Sequence, residues 1–132
     1  MNDEERDILV NQQLSKAKHF LQQAEEMCQL HHWDLAANRY YYACFHAVQG
    51  LFIHDKISGH THAGMIRQFS LYYVKEKLID LSYGSFLARL MQLRQKADYN
   101  CAYDITKEEI FDMQPRAIEI VRAIQTLIHR PS

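Results

Sequence analysis

Apolar residues recur at intervals of three and four through the first quarter of the chain, at Leu14, Ala17, Leu21, Ala24 and Cys28, with Gln and Glu between them. That is the period of one face of an α-helix, and it predicts an amphipathic helix from about Arg6 to Leu30. His31, His32 and Trp33 interrupt the pattern, and Asp34 is placed to cap a second helix. From Leu35 to Ile53 apolar residues occur nearly all round, the mark of a helix at the centre of a bundle. Asp55 to His60, with Ser58-Gly59, reads as the loop that ends it. Thr61 is placed to cap a third helix carrying Ile66, Phe69 and Tyr73 to around Ile79, and Ser82-Tyr83-Gly84-Ser85 reads as a turn. A fourth helix then runs from Phe86 to about Ala102, with Leu90, Leu93 and Ala97 on one face. Thr106 with Glu109 makes a capping box, opening a last helix with Ile110, Ala117, Val121, Ile124 and Ile128 inside. Pro115 lacks an N–H and clashes with the preceding turn, which predicts a kink or short break near Gln114. The expectation is an all-α fold, an antiparallel up-and-down bundle of four to five helices forming a single domain over residues 1–132.

Composition narrows the picture. Only 4 Gly and 2 Pro punctuate 132 residues, which favours long helices over many short strands. The formal charge of -1 provides no global positive field, so affinity for nucleic acid has to come from a local patch. The segment Met1 to Asp7 is acidic and polar, unlike a secretory leader, and no long uncharged apolar run suits a membrane, so a cytoplasmic location is expected. Cys28, Cys44 and Cys101 are odd in number and form no CxxC pair, which argues against a disulfide framework and a thiolate zinc site. They read as reduced core residues.

Two groups of residues could carry chemistry. On the second helix Arg39, Tyr42 and His46 share one stripe, and a buried guanidinium needs an anion. The plain reading is an Arg paired to a carboxylate with Tyr and His hydrogen-bonded inside the bundle; the functional one is a polar cleft. On the fourth helix Arg94 and Asp98 stand at i and i+4, a spacing for a charge-assisted pair, with Tyr99 and Asn100 on adjacent faces. Exposed pairs of this kind contribute only about 0 to 1 kcal/mol, so spacing alone proves little. Arg89, Arg94 and Lys96 lend that helix local positive charge. The tyrosines could stack on bases, yet most read as core or dimer interface. His60 and His62 flank Thr61 in a loop, and His31, His32 and His54 lie near helix ends, without the spacing of a metal site; they read as surface residues, and neither metal nor cofactor is expected.

Taken together, these segments resemble the HEPN family. Ala36 to Leu51, AANRYYYACFHAVQGL, is similar to its second helix; Thr61 to Ile66, followed by Phe69, resembles its third-helix entry; and Arg94 to Tyr99, RQKADY, resembles the fourth-helix segment of the branch that runs Arg, three residues, Asp, Tyr. The resemblance implies a helical bundle, a homodimer, and a gene beside a minimal nucleotidyltransferase in prokaryotic toxin and antitoxin pairs. Members that cut RNA without metal carry Arg, four to six residues, then His. Here the corresponding positions hold Tyr99, Asn100 and Cys101. A phenol, with an ordinary pKa of about 10, does not replace an imidazole near ~6.5 unaided.

The resulting expectation is a HEPN-type helical partner of a nucleotidyltransferase whose cleft engages RNA or a nucleotide phosphate. In it Arg94 binds phosphate, Asp98 orients Arg94, Tyr99 offers a hydrogen bond or a modification site, and Arg39 adds positive charge. One alternative is a metal-independent endoribonuclease using Arg94 with His46 or Tyr99 in a dimer cleft. Another is a non-catalytic structural module.

Overall fold

In the computed structural model, which describes residues 1–131, the chain forms five α-helices: α1 (Asp3–Gln29), α2 (Trp33–His54), α3 (His62–Phe69), α4 (Leu81–Tyr99) and α5 (Lys107–Ile128). A single π-helical turn, Ser70–Val74, prolongs α3. No strand is present among the described residues.

The apolar positions explain the arrangement. α2 is buried at Ala36, Ala37, Tyr40, Tyr41, Cys44, Ala47, Val48 and Leu51, on more than one side, and it packs against α1, α4 and α5. Its pairing with α1 is the most extensive in the molecule. The two helices run antiparallel: Cys28 near the end of α1 meets Tyr40 early in α2, and Gly50 late in α2 lies beside Val10 and Gln13. A Cβ on Gly50 would come within 3.3 Å of the Gln13 side chain, so the missing side chain permits the close approach. α4 is antiparallel to α2, because Asn38 meets Asp98 while Tyr41 meets Arg94. α5 runs parallel to α2, with Trp33 against Phe111 at one end and Gly50 beside Ile128 at the other. The four long helices thus go up, down, up, down, with α3 and its π turn bridging α2 and α4. One continuous apolar cluster joins residues of all five.

Several sequence expectations change at the ends. α1 begins at Asp3 rather than near Arg6, because the Asn2 side chain accepts a hydrogen bond from the Glu5 N–H. α2 begins at Trp33; Asp34 lies in its first turn, and its N-cap His32 makes no side-chain cap. There the carboxylate still complements the positive end of the helix. Thr61 caps α3 as expected, accepting from the Gly64 N–H, and the Thr106–Glu109 capping box opens α5. The predicted turn at Ser82 to Ser85 is instead the start of α4, capped by Asp80. Gly84 serves packing there: a Cβ would sit 3.0 Å from the Ser70 hydroxyl. α5 runs through Pro115 without a break. Pro115 and Phe111, the residue whose carbonyl loses its intrahelical donor, are both exposed, so water can take that donor's place. Cys28 and Cys44 are buried as expected, but Cys101 is exposed after α4.

A buried arginine among tyrosines

Among the described residues the fold buries one charged side chain, Arg94, which is 8% exposed. It lies on the inner face of α4, one turn beyond the buried Leu90. Its guanidinium carbon stands 4.9 Å from the ring centroid of Tyr41, 5.8 Å from that of Tyr42 and 5.8 Å from that of Tyr99. Tyr41 and Tyr42 are neighbours in sequence, and their rings stand edge to face with each other, 5.1 Å apart at 79°. Consecutive residues of a helix point to different faces, yet both tyrosines reach one arginine, because α4 packs against α2 there.

The expected pair is made: Arg94 donates from one terminal nitrogen to the Asp98 carboxylate at 3.2 Å. Asp98 also accepts a longer bond from the Asn38 amide at 3.4 Å. The Arg94 Nε–H, by contrast, is buried with no partner. Burial disfavours charge on the guanidinium, but the Asp98 carboxylate and the surrounding phenols outweigh it and hold the pKa above its already high ordinary value. Arg94 is therefore a cation at any accessible pH, and only part of its donor set is used.

The stripe on α2 divides. Arg39 is half-buried, stacks over the Phe20 ring of α1 at 5.4 Å and donates to the neighbouring Asn38 side chain at 3.0 Å. Among the described residues it makes no ion pair, and Asn38 links it to Asp98 of the Arg94 network. His46 faces α1: its Nδ1 pairs with Gln13 at 2.7 Å, and its ring stacks on Phe20 at 5.3 Å. Burial and the nearby Lys16 push its pKa down. The sequence left open whether His46 faces Arg94; it is turned to α1 instead, with Tyr42 adjoining both.

A different imidazole is near Arg94. His62, the first residue of α3, pairs through Nδ1 with the Tyr41 hydroxyl at 2.9 Å and stacks on Phe45 at 4.3 Å. Its pKa lies below the ordinary histidine value through desolvation, the positive charge of Arg94 and His60. Burial in turn pushes the Tyr41 phenol up to about 12, against the pull of Arg94. The sequence offered one local clue to His62, the Thr61 cap that fixes it in the first turn of a helix. Which phenol it would meet depends on how α3 crosses α2, and no spacing reports that.

The other candidates separate from the site. Arg89 pairs with Asp112 of α5 at 3.3 Å, and Lys96 lies over Tyr103 at 5.5 Å, so α4 carries no free basic cluster with Arg94. No group of three or more His, Cys, Asp or Glu side chains converges as a metal site among the described residues. No helix there is long and apolar enough to cross a membrane.

The HEPN domain model matches residues 10–127. The chain is 28% identical over 96 residues to a Methanocaldococcus jannaschii protein named as a candidate toxin, across 73% of this chain and 65% of that protein. It is 41% identical over 64 residues to a second protein of that organism named in the same way, across 48% of each chain. These matches span about two thirds and about half of the relatives' own lengths. A Thermotoga maritima protein named only as a UPF0332 protein is 27% identical over 128 residues, 97% of this chain and 96% of its own.

Proposed function

Because the chain belongs to the HEPN domain family, we propose that it is the helical component of a toxin and antitoxin type pair, engaging RNA or a nucleotide phosphate at Arg94. The observation that carries this reading is the incomplete satisfaction of a buried cation. Buried polar groups are almost always hydrogen-bonded, and removing a guanidinium from water is costly unless its donors are met. Arg94 is held charged in a wall of phenols while its Nε–H has no acceptor. A phosphate is one of the ligands that the planar donor fork of an arginine fits. Tyr99, 75% exposed, has its ring 5.8 Å from the guanidinium, so its rotation can admit a ligand and its ring can stack on a base.

Asp98 orients Arg94 in this reading, and Tyr99 also offers a hydroxyl for modification. A minimal nucleotidyltransferase is the expected partner protein and a homodimer the expected assembly. The names of the two Methanocaldococcus relatives support the toxin side of the pair. A second reading, metal-independent RNA cleavage, is favoured by one observation: His62 brings an imidazole beside the Arg94 site despite the missing histidine after Arg94.

The test incubates the purified protein with total RNA in EDTA, beside Arg94→Ala, with gel analysis of cleavage and fluorescence anisotropy of a labelled RNA. The proposal expects Arg94→Ala to weaken binding at least tenfold while the helical circular dichroism persists. Equal binding by a folded Arg94→Ala would overturn it. Cleavage by wild type alone would select the second reading.

A further inference from the structure

Resting on the reading of Arg94 as a phosphate ligand, we infer that His62 is the second ligand of the same phosphate, presenting its Nε2–H beside the guanidinium from a different helix. Three features of the geometry lead there. His62 and Arg94 are tied to one residue: Nδ1 of the imidazole is 2.9 Å from the Tyr41 hydroxyl, and the Arg94 guanidinium carbon is 4.9 Å from the Tyr41 ring centroid. The imidazole is anchored on one face by Phe45 at 4.3 Å, yet the residue as a whole is exposed, so its outer edge is open to a ligand. Arg94 supplies the buried unpartnered donor, Nε–H, that makes this more than an exposed histidine.

The hydrogen bond to Tyr41 decides which edge of the imidazole does what. Tyr41 is buried, its phenol stays protonated at neutral pH, and its hydroxyl has no other partner among the described residues. Its proton is therefore donated to Nδ1, because a buried hydroxyl left without an acceptor is costly. A neutral imidazole that accepts at Nδ1 carries its hydrogen on Nε2. The outward edge is thus a donor, suited to a phosphate oxygen and unsuited to abstracting a proton. Protonating Nδ1 would also break the Tyr41 donation, while desolvation first and then the charge of Arg94 hold the His62 pKa down. The groups facing His62 are Tyr41 on α2, Arg94 on α4 and His60 in the preceding loop, and none is a carboxylate that would favour the imidazolium. His62 also opens α3, whose positive end adds to the attraction for an anion. Tyr41 is then a positioning residue: it touches no ligand and sets the tautomer of the group that does.

The shared ligand chemistry is a phosphate oxygen, from either a terminal nucleotide phosphate or an internal phosphodiester. Two probes separate them: AMP, and a short single-stranded RNA lacking terminal phosphates. Each is titrated into protein labelled with ¹⁵N in its histidine rings, as wild type, His62→Ala, Arg94→Lys, Tyr41→Phe and the control His129→Ala, whose residue is exposed at the end of α5. The free wild type should show His62 as the Nε2–H tautomer, and Tyr41→Phe should mix the tautomers without unfolding the protein. Bound probe should shift the His62 Nε2 signal. His62→Ala should weaken binding about tenfold, the loss of one hydrogen bond to a charged group, while His129→Ala matches wild type. If Arg94→Lys weakens binding but His62→Ala does not, this inference falls and the Arg94 reading stands. If His62→Ala weakens it and Arg94→Lys does not, the Arg94 reading falls and the inference built on it falls too. Wild type that binds neither probe overturns both readings, whereas a free His62 carrying its proton on Nδ1 overturns this inference and leaves the Arg94 reading standing.

Discussion

Two of the arginine–aspartate pairs among the described residues, Arg130–Asp55 and Arg94–Asp98, have tyrosine and histidine nearby, and they differ in how completely they are satisfied. At one end Asp55, just past α2, accepts from the Tyr73 hydroxyl at 2.7 Å, from Arg130 at 2.9 Å and from its neighbour His54 at 2.7 Å, and Arg130 also donates to the Leu127 carbonyl at 2.7 Å. Both carboxylate oxygens are used, and the pair ties the end of α2 to the π turn and to the residues after α5. At the other end Arg94 has one bond of 3.2 Å to Asp98 and an orphaned Nε–H, with aromatic faces in place of acceptors. The same residue types make a clasp in the first case and an unfilled site in the second. Residue identity does not separate structure from function here; the state of the hydrogen bonds does.

The largest effect expected from this contrast is on stability at the Asp55 end. Asp55→Asn removes the charge that Arg130 and Tyr73 address, and should cost on the order of 2–3 kcal/mol, just below the range for breaking a fully buried pair because the site is partly open to water. Thermal unfolding followed by circular dichroism should fall by roughly 10 °C. A shift of only a degree or two would demote the clasp to an ordinary surface pair. Tyr73→Phe should come next, with a loss of about 1 kcal/mol, since it deletes one hydrogen bond and leaves the ring packed on Phe52 and Phe69. Urea unfolding of the two variants checks the order; a larger loss for Tyr73→Phe than for Asp55→Asn would mean that the phenol, not the ion pair, holds this end.

How much of this the sequence revealed follows from the range of the interactions. The Thr61 cap, the Thr106–Glu109 capping box and the buried all-round face of α2 were legible because each is written within a few residues. The Arg94–Asp98 pair was legible for the same reason, one turn of helix apart. Its burial was not, since that depends on Tyr41 and Tyr42 of another helix. The Ser82 to Ser85 stretch read as a turn because Ser and Gly favour turns, yet Gly84 is there to let α4 close on Ser70, a tertiary demand. His46 shared a stripe with Arg39 and Tyr42 and was the natural imidazole to choose. The stripe turned out to look toward Phe20 of α1, and the nearby imidazole comes from His62, across a loop whose path no periodicity records.

Acid should separate the two ends by pH. His62 and His46 both have folded pKa values pushed down, chiefly by desolvation. Between those values and the unfolded value near ~6.5 the unfolded chain binds more protons, so stability should rise with pH through that window and level off above it. Asp55 titrates lower: partial burial opposes ionisation, but the bonds from Tyr73, Arg130 and His54 outweigh it and depress its pKa. Its contribution is present above the unfolded value of ~3.9 and is lost as pH falls through the folded one. Urea midpoints measured against pH should therefore show a shallow decline below neutrality, then a further loss in strong acid that Asp55→Asn lacks. A single acid step unaffected by Asp55→Asn would remove the clasp from the account.

The smallest expected stability change is the one that separates the ends most sharply. Arg94→Met keeps an unbranched apolar stem against Tyr41 and Tyr42 but removes the charge and the orphaned Nε–H. The lost attraction between cation and rings is worth about 0.5–2 kcal/mol; against it stands the desolvation relieved when a half-satisfied guanidinium no longer has to be buried, and replacing buried ionic groups with apolar ones is often neutral or stabilising. Asp98, its partner, is exposed enough to be rehydrated. The net change should lie within about 1 kcal/mol of zero and can be of either sign, whereas Arg130→Met should destabilise because Asp55 would keep its burial and lose its cation. Phosphate binding should respond in the opposite order, abolished in Arg94→Met and retained in Arg130→Met. A protein that gives up binding at Arg94 without giving up stability holds that arginine for a ligand; a fall in stability as large as that of Asp55→Asn would make Arg94 a second clasp and dissolve the distinction.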